Sequence, residues 1–165
     1  MQPTVSTIPA ALRALVAAAR RAIPPAVIRG RTVPVTVTLG QPTRGQVDAD
    51  DIVCIAFTGE PGEAAVTSTR ERQQAAAAPD RESYQVACLA SSWRGRHDDV
   101  EPVLDRTFEM INAFAAELAA DQTLGGVVMT CRLTTDETAI TQTEQGATVV
   151  TRFTLSIEAF TSARW

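Results

Sequence analysis

The chain has no lysine and a single histidine, so two residue types that often act in catalysis are nearly missing. It also lacks the P-loop, G-x-G-x-x-G, G-x-S-x-G, H-E-x-x-H and C-x-x-C patterns. No apolar run approaches the roughly 18 residues that cross a bilayer. The N-terminus has no early positive cluster followed by an apolar segment, so we expect no secretory signal. These absences argue against the familiar enzyme classes and against a membrane protein.

Cysteine is also scarce. Cys54, Cys88 and Cys131 are well separated and odd in number, so they do not form a disulfide framework, and a reducing compartment is expected. Their spacing matches no common zinc-ligand pattern, even with the histidine added. We expect no metal site and no cofactor.

One catalytic alternative remains open. Cys88 and His97 are close in sequence, and Asp98 or Asp99 could orient the imidazole of a thiol–imidazole pair. However, Cys88 shares a predicted strand face with apolar residues, where cysteine is usually inert packing. We therefore expect no catalytic residues and keep a small cysteine/histidine enzyme as the runner-up from another class.

The charges that are present are unevenly distributed. All 15 basic residues are arginines, which indicates a GC-rich genome, and all 19 acidic residues follow residue 47. Residues 1–47 therefore carry a charge of +6 and the rest of the chain −10. Opposite patches on one molecule attract when copies stack or close a ring, so this asymmetry favours head-to-tail self-association. The chain is acidic overall, with a pI of about 5.0, so sequence-specific nucleic-acid binding is not expected.

The first predicted helix begins at Thr7, tolerates Pro9 in its first turn and ends at Pro24-Pro25. Its apolar stripe consists of Leu12, Leu15, Val16, Ala19 and Ile23. The second helix is predicted from a capping-box-like start at Asp98 and Glu101, after a turn at Arg94-Gly95-Arg96, to about Ala120. Its apolar seam consists of Leu104, Phe108, Ile111, Ala115 and Leu118, widened by Val103, Met110 and Phe114. Both helices are predicted to pack on a core.

Three strands are predicted between the helices. Val33–Leu39 alternates, with its valines and Leu39 on one face, and Pro34 indicates an edge position. Ile52–Phe57 is apolar without alternation, as in a strand covered on both faces. Ser83–Trp93 alternates, and its inward residues are Tyr84, Val86, Cys88 and Ala90.

The links between these strands are polar. Residues 59–80 are predicted as a long loop, with a short helix over Thr69–Ala78 as an alternative. Asp48, Asp50 and Asp51 precede the second strand. Three carboxylates can bind a divalent cation, but no spacing matches an EF-hand loop, so a solvated turn is predicted.

The last third predicts a hairpin after Asp121–Gly126. Val127–Thr134 has Val127, Met129, Cys131 and Leu133 facing inward, and a weak strand over Ala139–Thr143 precedes a turn at Gln145-Gly146. The final strand, Thr148–Phe160, has Val149, Phe153, Leu155, Ile157 and Ala159 on its inner face. Thirteen extended residues span roughly 40 Å, so we expect the surplus to reach a neighbouring subunit.

Together these patterns predict one domain over residues 1–165. The expected class is α+β, a mostly antiparallel sheet with two amphipathic helices packed on one face, a long loop and a long C-terminal hairpin.

The order of elements, the Asp121-Gln122-Thr123-Leu124-Gly125-Gly126 motif, the Gly146 turn and the closing Phe153–Ala159 strand carry a resemblance. In this layout the chain resembles the tail terminator proteins of long-tailed, siphovirus-like bacteriophages. The resemblance implies a virion structural protein, not an enzyme, that forms a homo-oligomeric ring, usually a hexamer. Such a ring sits on the head-proximal end of the tail tube, ends its polymerisation and joins the tail to the head connector. The structural runner-up is a head–tail joining or minor tail protein of the same fold.

Partners implied by the resemblance are a second copy of the chain, the tail tube protein and the head–tail connector or stopper protein. The implied location is the virion, at the head–tail junction, after assembly in the host cytoplasm. The resemblance implies no membrane partner and a ring through which DNA would pass. Charge, loop position and hairpin length make the following residues candidates for subunit or tube contacts: Arg13, Arg20, Arg21, Glu60, Glu63, Arg70, Glu71, Arg72, Arg152 and Glu158.

Overall fold

The computed structural model describes residues 4–72, 79–95 and 99–163, which contain two helices and ten strands. The helices are α1 (Ile8–Ala22) and α2 (Glu101–Ala120). The strands are β1 (Thr4–Val5), β2 (Ala26–Ile28), β3 (Arg31–Val33), β4 (Val35–Leu39), β5 (Asp51–Ile55), β6 (Val66–Glu71), β7 (Arg81–Gly95), β8 (Thr130–Thr143), β9 (Gly146–Phe160) and β10 (Ser162–Ala163).

Six strands form the main sheet, in the order β4-β5-β7-β9-β8, with β6 also paired to β7. Only β4 and β5 run parallel, and the other pairs are antiparallel. Two short pairs, β1 with β10 and β2 with β3, lie outside it. The predicted α+β class with a mostly antiparallel sheet is confirmed.

Both helices pack on the same face of the main sheet. Their buried residues share one core with the inward side chains of the long strands, including Leu15 of α1, Phe114 of α2 and Phe153 of β9. The rings of Phe114 and Phe153 meet edge to face, with centroids 6.3 Å apart. The predicted inward set of the last strand is confirmed, because all five of its members are buried.

The N-terminus of α1 is held by a side chain from the sheet. Thr7 is the residue before the helix, as predicted, but its hydroxyl does not cap the helix backbone. Instead its backbone N–H and its hydroxyl both donate to a carboxylate oxygen of Glu82, each at 2.9 Å, and Ser6 donates to the other oxygen at 2.6 Å. Glu82 thus fixes the start of α1 on β7.

The C-terminal hairpin is longer and more continuous than its sequence predicts. Residues 130–134 of the predicted segment Val127–Thr134 and the predicted segment Ala139–Thr143 belong to one strand, β8, with a bulge between Thr135 and Glu137, whereas residues 127–129 precede the strand. The bulge explains why the alternation is broken there. The predicted turn before Gly146 is confirmed.

The expectation that surplus length of the last strand reaches a neighbour needs a correction. β9 lies inside the sheet and pairs with β7 along its whole length, from Gly146 to Phe160. Its length is used within the chain because β7 is equally long. The free border belongs to β8, its hairpin partner.

The long loop predicted over residues 59–80 contains a strand, and the alternative short helix over Thr69–Ala78 is wrong for its first part. Residues 66–71 form β6, which pairs antiparallel with the first half of β7. Threonine and serine alternate there and suit an exposed strand better than a helix. The remainder of that segment, residues 73–78, lies outside the described residues.

Three local predictions are also wrong. Leu39 and Met129 were expected to face the core, but they are 51% and 43% exposed: Leu39 is the last residue of β4, and Met129 precedes the first residue of β8. Arg94 and Gly95 belong to β7 and not to a turn. The predicted strand Val33–Leu39 is interrupted at Pro34, which separates β3 from β4, and its predicted edge position is confirmed.

The ends of α2 follow their sequence signals only in part. Asp98 lies outside the described residues, and at the observed start an Asp99 carboxylate oxygen accepts the Glu101 N–H at 3.0 Å. After Ala120 the Asp121 carboxylate accepts the N–H groups of Thr123 and Gly125 at 3.0 and 2.7 Å. The motif predicted to stop the helix does so through this carboxylate before the chain enters β8.

Candidate assembly surfaces

The three cysteines are packing residues. Cys54, Cys88 and Cys131 are all at most 1% exposed. Burial raises the pKa of both the Cys88 and the Cys131 thiols to about 12. Cys88 therefore carries a neutral thiol in the core, and His97 lies outside the described residues. In the part of the chain that the structure describes, no three histidine, cysteine or acidic side chains are grouped to hold a metal ion.

The sheet face opposite the helices is covered around Ile52, Cys54 and Leu89, which are buried beside Phe57. Across its remaining part lies a depression of about 650 Å³ lined by both polar and apolar groups. Its side chains come from four adjacent strands and include Thr67, Thr69, Ser83, Gln85, Thr130, Arg132, Ser156 and Glu158. The polar lining groups are mainly hydroxyls, with one exposed arginine, and they can form hydrogen bonds. None of them is a nucleophile activated by burial or by a neighbouring base. This face suits contact with another surface.

The border strand β8 presents an unusually long exposed edge. The ten residues Thr134–Thr143 are all exposed, and within the described residues no strand pairs with the outer edge of β8. Ile140 is 51% exposed on it. The charges of its exposed second half and of the turn that follows are acidic, because Asp136, Glu137 and Glu144 lie between residues 134 and 145 with no basic residue among them, whereas the basic Arg132 lies near the start of the strand. Free edges of this length are templates for strand addition.

The opposite border carries a small basic hairpin. β2 and β3 pair with each other through a two-residue turn in which Arg29 and Gly30 have φ of 49° and 76°. Two positive φ values are typical of a type I′ turn, which glycine at the second position favours. Arg31 is exposed, and Val27 is 72% exposed. The hairpin therefore combines positive charge with an exposed apolar side chain.

A buried ionic cluster fixes the base of this hairpin. The Asp51 carboxylate, which is not exposed, accepts hydrogen bonds from Ser92 Oγ and Arg94 Nη1 at 2.7 Å and from Arg106 Nε at 2.9 Å. Arg106 Nη2 in turn donates to the Pro24 carbonyl at 2.7 Å. Burial alone would raise the pKa of Asp51, but the donated hydrogen bonds outweigh it and hold the pKa below its usual value. The cluster joins β5, β7 and α2 to the segment that leads into β2.

Sequence reasoning missed this cluster. Asp51 was assigned to a solvated turn with Asp48 and Asp50, whereas it lies in β5 with no exposed surface. Arg94 and Arg106 were not singled out, although both are buried. The position of Arg106 in the sequence could have indicated its burial, because it lies on the apolar side of α2, between Val103 and Met110.

The candidate contact residues of α1 are exposed, and two of them have partners within the chain. Arg21 Nε donates to Glu117 Oε1 at 2.8 Å, which links α1 to α2 across the boundary between the basic and acidic parts. Arg20 Nη2 donates to the Val37 carbonyl of β4 at 3.2 Å. Arg13 lies on the exposed side of the same helix. The structure brings these three residues onto one helix near the β4 border.

The remaining candidates are scattered. Glu60 and Glu63 are exposed in the loop before β6, and Arg70, Glu71 and Arg72 lie at the end of that strand. Arg70 contacts the buried Glu82 at 3.5 Å. On the helix-free face, Arg152 pairs with Glu137 at 3.2 Å and Glu158 with Arg81 at 2.9 Å. The ten residues therefore do not form one patch, and several bind within the chain.

No family model matches this chain, and no curated protein matches it either. Among the described residues, no helix is long and apolar enough to cross a membrane.

Proposed function

We propose that this chain is a virion structural protein that forms a ring on the head-proximal end of a phage tail tube. The ring ends tube polymerisation and joins the tail to the head connector. The observation that carries the proposal is the exposed outer edge of β8, on a rigid sheet backed by two helices. Such an edge is an aggregation hazard in a monomer unless an ordered partner covers it.

The chemistry of the core supports an assembly function over the enzyme alternative. Cys88, the only nucleophile that sequence reasoning offered, is 1% exposed, and burial raises its pKa to about 12. A catalytic thiol needs a lowered pKa and access to substrate. The uncovered part of the sheet face, the basic hairpin and the acidic second half of β8 are surfaces for protein contacts.

The decisive experiment is a mass measurement with electron microscopy of the purified protein, alone and with tail tubes. We expect rings in solution or on the tube ends, and shorter tubes when the protein is added during polymerisation. A monomer in isolation is compatible with assembly on the tube. A protein that neither forms rings nor caps tubes would overturn the proposal. Binding to the head connector without binding to tubes would favour the head–tail joining alternative.

A further inference from the structure

We propose that the contact between neighbouring copies is made by the β2–β3 hairpin of one copy and the outer edge of β8 in the next. This inference rests on the proposed function only in that it assumes self-assembly. It identifies the two surfaces that touch. The proposed ring and its position on a tube do not by themselves specify these surfaces.

The two surfaces cannot meet within one copy. The hairpin is joined to β4 through Pro34 alone, because β3 ends at Val33 and β4 begins at Val35. The strand order β4-β5-β7-β9-β8 places β4 and β8 at opposite borders, four strand spacings or roughly 19 Å apart. A contact between opposite borders is heterologous, and its repetition closes a ring or extends a filament.

The surfaces are complementary in charge. The hairpin carries Arg29 and Arg31, and no acidic residue occurs before Asp48. On β8, Asp136 accepts a hydrogen bond from Thr154 and keeps its charge, Glu137 is paired to Arg152, and Glu144 follows in the turn after the strand. If the β8 edges of two copies paired with each other, acidic residues would lie against acidic residues, because residues 134–145 contain no basic side chain. The charge distribution therefore favours hairpin on edge over edge on edge.

The two surfaces are also compatible in their backbone edges and in their exposed apolar side chains. Val27 and Ile140 are 72% and 51% exposed and provide one apolar side chain on each side. A two-stranded hairpin has an unpaired edge that can add to β8. The other border of the main sheet is less suited to strand addition, because Arg20 already donates to the Val37 carbonyl of β4.

Charge reversal with complementation tests the contact. The variant R29E/R31E makes both surfaces acidic, and D136R/E144R makes both basic, so each alone is expected to associate at least about tenfold more weakly than the wild type. An equal mixture restores opposite charges at every contact and is expected to assemble again. The matched controls R13E/R44E and D48R/D105R change the net charge equally at exposed sites outside both surfaces. The melting temperature of each variant verifies that it folds.

Disulfide trapping gives a second, independent measurement. Val27→Cys mixed with Ile140→Cys under mild oxidation is expected to yield a covalent dimer faster than Val27→Cys mixed with Thr67→Cys, because Thr67 is exposed on the uncovered part of the sheet face. The native cysteines are buried and do not compete.

The outcomes separate this contact from the proposed function. If the wild type forms rings or caps tubes and the reversal variants assemble equally well, the proposed contact is wrong and the proposed function is unaffected. Equal trapping rates for the two cysteine mixtures would also overturn the contact. Complementation and selective trapping in a protein that never caps tubes would support the contact and overturn the tail function.

Discussion

Asp51 and Arg106 are 55 residues apart in sequence, yet a carboxylate oxygen of Asp51 accepts a hydrogen bond from Arg106 Nε at 2.9 Å inside the protein. The aspartate is not exposed, and the arginine is 7% exposed. Arg94 donates to the same carboxylate, so one buried carboxylate binds two guanidinium groups. Because Arg106 also holds the Pro24 carbonyl, the pair ties the core to the base of the basic hairpin.

Asp51→Asn is expected to lower the free energy of unfolding by about 3–5 kcal/mol, because it leaves the buried Arg94 without its counter-charge and leaves Arg106 paired only with the exposed Glu109. Denaturant titration followed by circular dichroism measures this. Asp48→Asn, at an exposed position nearby, is the control and is expected to change stability by no more than about 0.5 kcal/mol. Similar losses in the two variants would show that the cluster does not stabilise the fold.

The pKa values of Asp51 and Glu82 predict loss of stability in acid. Burial works to raise each pKa, but the hydrogen bonds that these carboxylates accept lower both pKa values below those of the free side chains. A lowered folded-state pKa gives stability that is present above the unfolded pKa, about 4, and is lost as pH falls through the folded value. We expect a nearly flat stability profile down to about pH 4 and a steep fall below it. Asp51→Asn should flatten that fall, and an unchanged acid slope would contradict the assignment.

Gly146 is the position in the hairpin least able to accept a side chain. It has a φ of +153°, and a Cβ added there would lie 2.3 Å from the Arg94 carbonyl oxygen of β7. Gly146→Ala must therefore push two paired strands apart, and we expect a loss of roughly 1–3 kcal/mol in thermal or denaturant unfolding. Gly45→Ala has open space and no positive φ, so it serves as the control. Equal stability of the two variants would exclude the clash.

Cys88 is expected to be unreactive in the folded protein. Labelling with a thiol reagent at pH 8 should proceed only as fast as the chain opens, because burial keeps the thiol neutral and out of reach. Denaturant should expose all three cysteines. The double variant C88A/H97A should keep full assembly activity, whereas loss of assembly with retained folding would revive the cysteine/histidine alternative.

Self-association is expected to weaken with salt and, to a smaller extent than in R29E/R31E, on charge reversal of Arg20 and Arg21, because these two residues lie outside the hairpin–edge contact and act only through the net charge of the basic part. Sedimentation at low and high ionic strength measures this. Arg21→Glu also breaks the exposed pair with Glu117, an effect of about 0–1 kcal/mol on folding, so the melting temperature is followed in parallel. Oligomers that are insensitive to both changes would rule out electrostatic assembly.

Much of the fold is predictable from local pattern. The alternation in Ser83–Trp93 and Thr148–Phe160 and the apolar stripes of both helices predict which side chains are buried, and the core contains them. The failures occur where local pattern conflicts with position in the sheet. Leu39 is apolar and exposed, whereas Asp51 is charged and buried, because neighbouring elements decide what covers each residue.

The candidate contact residues show the same limit. Sequence placed Arg21, Arg70 and Arg152 on surfaces by their charge, and the structure gives each of them an acidic partner within the chain. The β2–β3 hairpin was not predicted, although its Arg29-Gly30 pair suits a tight turn. Three-residue strands carry too little periodicity to be recognised.

The sequence by itself determined the α+β class, the two core-facing helices and the unequal distribution of charge, because hydrophobic period and residue charge are local properties. Only the tertiary structure decided that β9 is an interior strand and β8 a border strand, and that the basic hairpin and the acidic edge lie at opposite sides of the sheet. The physical reason is that strand order and the partners of buried charges depend on contacts between residues far apart in the chain, and a free edge exists only relative to a complete sheet.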